Sequence, residues 1–158
     1  MAPVNAPAPV EVRRFEPWMQ AAFRRVVLLG LAEHWGAVDE NLNPDLLDVA
    51  TTYAGATVLV AFVEDELVGT AILLPTKDET GQIVRMSVVK TWRRRGVARQ
   101  LLEALRLAGR ELGLARLALE TTATWEDARS FYESAGFVFT HVEDTAWGPE
   151  AHYEWSFT

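Results

Sequence analysis

The chain has 158 residues, a formal net charge of −7 and no cysteine. That length fits one domain with a substantial core, and the missing cysteines exclude disulfides, a thiolate nucleophile and a cysteine-ligated metal. The acidic balance argues against a nucleic-acid surface. No apolar run reaches membrane-spanning length and no signal-peptide core is present, so a cytoplasmic location is expected.

The first nine residues, with Pro3, Pro7 and Pro9, read as a flexible arm ahead of a single domain over 10–158. Val10–Glu16 reads as a strand, and Pro17–His34 as an amphipathic helix with Pro17 in its first turn. Asn43-Pro44-Asp45 predicts a second helix, capped by Asn43 and running to about Tyr53. Ala56–Val63 and Leu67–Leu74 alternate or run apolar around Glu64-Asp65-Glu66, which predicts a hairpin. Gln82–Val89 is rich in β-branched residues and reads as a strand. Val97, Leu101, Leu102, Leu105 and Leu112 then recur at helical spacing, with Gly113 as a C-terminal stop. Next come a strand at Arg116–Thr121 and a helix from about Thr124 to Ser134, followed by Gly136. Phe137–Val142 and His152–Phe157 close as strands around the Gly148-Pro149 turn. This order predicts an open mixed α/β sheet with helices on both faces.

Between the strand at 82–89 and the following helix, local charge opposes global charge. Five of the ten residues from Lys90 to Arg99 are cationic and none is acidic, which leaves 10 basic against 22 acidic residues elsewhere. Unpaired N–H groups at a helix N-terminus attract anions. Gly96 admits a ligand close to the backbone, and the arginines add charge-assisted hydrogen bonds. The segment therefore reads as a phosphate-binding turn, with a solvated charge run as the plainer alternative. It is neither a Gly-x-x-x-x-Gly-Lys-Ser/Thr loop nor a Gly-x-Gly-x-x-Gly loop. His34, His141 and His152 are scattered without ligand spacing, so no metal site is expected.

Several ordered segments resemble the GNAT superfamily of N-acetyltransferases. Arg93-x-x-Gly96-x-Ala98 is similar to that family's Gln/Arg-x-x-Gly-x-Gly/Ala turn, and Arg85-Met86-Ser87-Val88 to its fourth strand. Leu119-Glu120-Thr121 and the run from Ala128 through Phe131-Tyr132 to Gly136-Phe137 resemble its fifth strand, fourth helix and sixth strand. Val68-Gly69-Thr70 fits the third strand, and the likeness is specific from about Leu67 to Phe139. The resemblance implies an α/β GNAT-like fold, a mixed and mostly antiparallel sheet of about seven strands with a splay between the fourth and fifth. It implies direct acetyl transfer from acetyl-CoA to a primary amine, without a metal.

By the same resemblance, the amides of Met86, Ser87 and Val88 would pair with the pantetheine arm. Arg93, Arg94, Arg95, Gly96, Val97, Ala98 and Arg99 would hold the phosphates. Tyr132 would protonate the leaving thiolate, although an aromatic core residue beside Phe131 is its other reading. The oxyanion would meet a fourth-strand amide, Val88 or a near neighbour.

Glu120 is the first candidate for the base, with an ordinary half-exposed strand carboxylate as its other reading. Other relatives use a glutamate where this chain has Gln82, which cannot take a proton, and Glu79 and Asp78 lie nearby as substitutes. Trp125 stands where many relatives have asparagine, and it cannot accept a hydrogen bond. His34, Trp35, Tyr53, Trp147 and Tyr153 are candidates for lining the acceptor pocket, with packing as the other reading of each. A homodimer through a sheet edge or the last hairpin is compatible with this pattern. The rival reading is a catalytically silent module that binds acyl-CoA.

Overall fold

Seven strands form one sheet in the order β1-β2-β3-β4-β5-β7-β6 in the computed structural model, which describes residues 9–37 and 39–158. The expected N-terminal arm, apart from Pro9, lies outside the described residues. The strands are β1 Val10–Arg14, β2 Thr57–Val63, β3 Glu66–Pro75, β4 Thr80–Val88, β5 Arg116–Thr122, β6 Val138–Thr145 and β7 Gly148–Ser156. The helices are α1 Gln20–Trp35, α2 Val49–Thr52, α3 Val97–Glu111 and α4 Glu126–Ser134. Every strand pairing is antiparallel except β4 with β5.

The alternation of the central strands serves two cores. On one face Leu59, Ala61, Val68, Ala71 and Leu73 meet Val97, Leu101, Leu102 and Leu105 of α3. Those α3 positions recur at intervals of four, one and three residues and so fall on one side of the helix. On the other face Val60, Phe62, Leu67 and Ile72 meet Phe23, Val26 and Val27 of α1, with Leu46 and Val49. Each leucine fully buried in this way contributes roughly 1.5–3 kcal/mol. Because both faces of β2 and β3 are covered, those strands read as nearly continuous apolar runs.

Two irregularities position the site. The first is a bulge in β4. Thr70 pairs with Ser87 and Ile72 with Val84, so two residues, Arg85 and Met86, stand opposite Ala71. Arg85 adopts φ +53°, uncommon for a non-glycine residue, and its carbonyl accepts the Thr70 hydroxyl at 2.8 Å. The second is the short contact between β4 and β5, which pair only at Thr80–Arg116, Gly81–Leu117 and Gln82–Ala118. Beyond Gln82 they diverge, and β5 continues its pairing with β7 alone.

The predicted helix from Asn43 to Tyr53 is broken. Pro44–Leu47 forms a 3-10 turn, and Asp48 leaves helical geometry at φ −151° before accepting the Thr51 amide to start the short α2. Asn43 does not cap with its side chain. The last two strands also extend further toward their turn than the sequence suggests, bringing Glu143 and Glu150 into register.

Candidate active site

The extra residue in β4 changes which side chains face which layer. Ile83 packs in the α3 core and Val84 toward α1, so strict alternation would return Arg85 to the α3 side. The bulge inserts Arg85 instead, and Met86 becomes the residue that reaches the α3 and α4 side. There the Tyr132 hydroxyl, on α4, donates to the Met86 sulfur at 3.5 Å. Burial pushes the Tyr132 phenol up to about 12, so it remains a protonated donor at neutral pH. On the opposite side Ser87 faces α1 at Gly30, where an added Cβ would come within 3.3 Å of the Ser87 Oγ. Gly30 thus permits the close approach of α1 to the gap.

The basic turn stands at the end of this gap. Gly96 is the N-cap of α3 at φ +84°, Arg94 is also left-handed at φ +60°, and the helical ladder opens with Gln100 N–H to the Gly96 carbonyl. The first-turn amides before Gln100 lie outside that ladder. The arginines divide by partner. Arg93 donates to the Val88 carbonyl at 2.9 Å and pairs with Glu33 of α1 at 2.5 Å. Arg95 lies over the Trp92 ring, whereas Arg94 and Arg99 are exposed and line the cavity. Val97 is buried beneath the turn, contacting the β3 core.

One cavity of about 1600 Å³ joins these parts. Arg93, Arg94, Gly96, Ala98 and Arg99, then Met86, Ser87, Val88 and Tyr132, all line it. Glu120, Glu150, Asp45 and Tyr53 line it too. In its wall His34 of α1 stacks on Trp125, the residue preceding α4. Burial and the charge of Arg93 hold the His34 imidazole below its usual range, so the stacked ring is neutral at neutral pH.

Register gathers the carboxylates. Glu120 pairs with His152, and His152 with His141; one row along, Thr122 pairs with Glu150 and Glu150 with Glu143. The His152 Nε2 lies 3.5 Å from Glu120 and 3.2 Å from Glu143. Glu120 is half exposed. Burial and the neighbouring carboxylate of Glu120 raise the Glu150 carboxyl above its ordinary range. Within the described residues, two sets have ligand atoms close enough to share an ion, His141/Glu143/His152 and Glu120/Glu150/His152. The histidine rings stack 4.3 Å apart at 11°, so their in-plane lone pairs run side by side rather than converging.

The sequence expectations divide accordingly. Tyr132, Glu120, Met86, Ser87, Val88, Arg93, Arg94, Gly96, Ala98 and Arg99 border one cavity, together with His34, Trp35, Tyr53, Trp125 and Trp147. Tyr153 does not: it is fully buried, and its hydroxyl accepts from Arg129 at 2.9 Å. Asp78 and Glu79 sit in an exposed left-handed turn away from the cavity, and the Glu79 carbonyl accepts the Ala115 amide. Glu150, Asp45 and Arg85 escaped the sequence reading of the site, since their neighbours come from distant segments.

A family model described as an acetyltransferase (GNAT) domain matches residues 54–139, more than half of the chain. The chain belongs to the GNAT acetyltransferase family. Among its GNAT relatives, the uncharacterized N-acetyltransferase YsnE of Bacillus subtilis (strain 168) is 37% identical over 81 residues, covering 50% of this chain and 54% of that protein. The chain spans about half the length of the curated relatives it matches.

Solved structures agree on the GNAT fold. An acetyltransferase of the family from Staphylococcus aureus Mu50 superposes with a TM-score of 0.83 at 18% identity, covering 94% of this chain and 99% of that one. PaiA N-acetyltransferase from Thermoplasma acidophilum, solved in complex with coenzyme A, gives 0.78 at 16% identity, covering 94% and 99%.

Proposed function

We propose that this protein transfers an acetyl group from acetyl-CoA directly to a primary amine. The observation that carries this reading is the single cavity joining the Arg94–Arg99 turn, the β4–β5 gap and the Tyr132 hydroxyl. Acetyl-CoA is a phosphate-bearing, extended thioester, and the residues fit it. The helix N-terminus with Arg94 and Arg99 suits the phosphates, and the β4 edge without a β5 partner beyond Gln82 suits an extended arm.

Acyl transfer to an amine asks three things of the chain. An amide must meet the oxyanion, for which Val88 and its β4 neighbours border the gap. A donor must protonate the departing thiolate. Tyr132 suits this because its phenol stays protonated and already donates to a sulfur, that of Met86. An acceptor must take the proton of the ammonium ion. Glu120 and Glu150 line the cavity close to one another, and their charge favours a cationic acceptor there. Glu150, with its raised carboxyl, is a second base candidate beside Glu120.

No helix among the described residues is long and apolar enough to cross a membrane. A cytoplasmic enzyme made of one domain over 10–158 remains part of the proposal. Calorimetric titration with acetyl-CoA tests it, with CoA, ATP and NADH as comparators. Saturable binding of acetyl-CoA and CoA alone is expected. No heat at millimolar acetyl-CoA would overturn the reading.

A further inference from the structure

Arg85 donates three hydrogen bonds in the cavity wall and has no part in the steps above. Its Nε and Nη2 donate to the two oxygens of Asp45 at 2.9 and 2.7 Å, and Nη2 also donates to the Asn43 Oδ1 at 3.1 Å. The Tyr53 hydroxyl donates to the same Asp45 carboxylate at 2.6 Å. Burial opposes ionisation of Asp45, but the hydrogen bonds from Arg85 and Tyr53 and the charge of Arg85 outweigh it and hold the carboxyl low. Asp45, Asn43 and Tyr53 belong to the segment between α1 and β2 and line the cavity, where this reading places the acceptor wall.

The backbone of Arg85 is the left-handed residue of the β4 bulge. One residue therefore holds both the acceptor wall, through its guanidinium, and the kink that aims Met86, Ser87 and Val88 into the gap, through its main chain. A bidentate pair fixes distance and plane together, which a single contact does not. We propose that Arg85 is a positioning residue: its clasp on Asp45 couples the acceptor wall at 43–53 to the β4 bulge, so that ordering the wall sets the alignment of Met86 to Val88. The kinetic part of this inference rests on the acetyltransferase reading; the structural coupling does not.

The chain has three methionines, and only Met86 lies on the bulge, which provides a reporter that needs no substrate. With ¹³C-methyl methionine labelling, Asp45→Asn and Arg85→Lys should each shift or broaden the Met86 methyl signal, identified by its loss in Met86→Leu. The double variant should shift it no further than the larger single change, because both remove one clasp. Tyr53→Phe, which leaves the bidentate pair in place, should move it less. A Met86 signal unmoved by Asp45→Asn in a folded variant would overturn the coupling.

In turnover with tyramine and 1,4-diaminobutane as first acceptor probes, Arg85→Lys should lower kcat about tenfold with acetyl-CoA affinity changed less than twofold. Unchanged kcat in Arg85→Lys would also overturn it. Failure of the wild type to bind acetyl-CoA would instead sink the proposed function, and the methyl signals would still decide the coupling.

Discussion

The imidazole of His34 stacks on the indole of Trp125, with centroids 3.9 Å apart and 17° between the planes. The adjacent Glu33 pairs with Arg93, so the last turn of α1 grips both the basic turn and the start of α4. Both rings line the cavity that would hold acetyl-CoA. Stacked aromatic pairs contribute about 0.5–1.5 kcal/mol beyond their burial, or up to roughly tenfold in a rate constant. His34→Ala and Trp125→Ala are each expected to speed acetyl-CoA dissociation several-fold in stopped-flow measurements. Equal off-rates in all three proteins would show that the grip does not hold the ligand.

Tyr132→Phe removes one oxygen and keeps the ring contacts with Phe131 and Phe137. The expected outcome is a loss of about 10²-fold in kcat with the acetyl-CoA dissociation constant unchanged, the size usual for a lost general acid. Turnover equal to the wild type would return Tyr132 to a packing role.

Glu150 supplies a stability test with a definite sign. Its folded-state carboxyl is raised, so the folded protein holds this proton more tightly than the unfolded chain does. That contribution is present below the ordinary glutamate range and is lost as pH rises through the folded value. Glu150→Gln should therefore melt higher than the wild type at pH 7, and the difference should close toward pH 4. A variant that melts lower at pH 7 would contradict this account of the carboxylate row.

Arg94 and Arg99 line the cavity; Arg93 bonds the Val88 carbonyl and pairs with Glu33, and Arg99 reaches the Ser134 hydroxyl and the Phe131 ring. Arg94→Ala with Arg99→Ala should together weaken acetyl-CoA binding by about a hundredfold, each lost charge-assisted bond counting about 1.5 kcal/mol. The loss should shrink in high salt and leave the melting temperature nearly unchanged. Calorimetric titration at two ionic strengths checks both.

Local chemistry carried most of the sequence reading. Gly96 announced the start of α3, and the spacing of Leu101, Leu102 and Leu105 announced its buried face. The resemblance supplied the splay and the role proposed for Tyr132. What remained hidden depends on register and long-range pairing. Asp48 interrupts a segment whose composition reads as helical throughout. Glu150 looked like part of a turn until β7 extended past it, and Tyr153 looked like pocket lining because depth is not written in a strand's alternation. The Arg85–Asp45 clasp spans 40 residues, beyond the reach of any local pattern.

The placement of β7 has a consequence for how the chain is made. β5 shares three pairings with β4 and seven with β7, although β7 follows it in the sequence by some thirty residues. A growing chain on the ribosome therefore displays β5 with one side nearly bare until residues 150–156 emerge. Synthesis leaves a transient sticky margin in the middle of the future active site, and a stalled ribosome would prolong it.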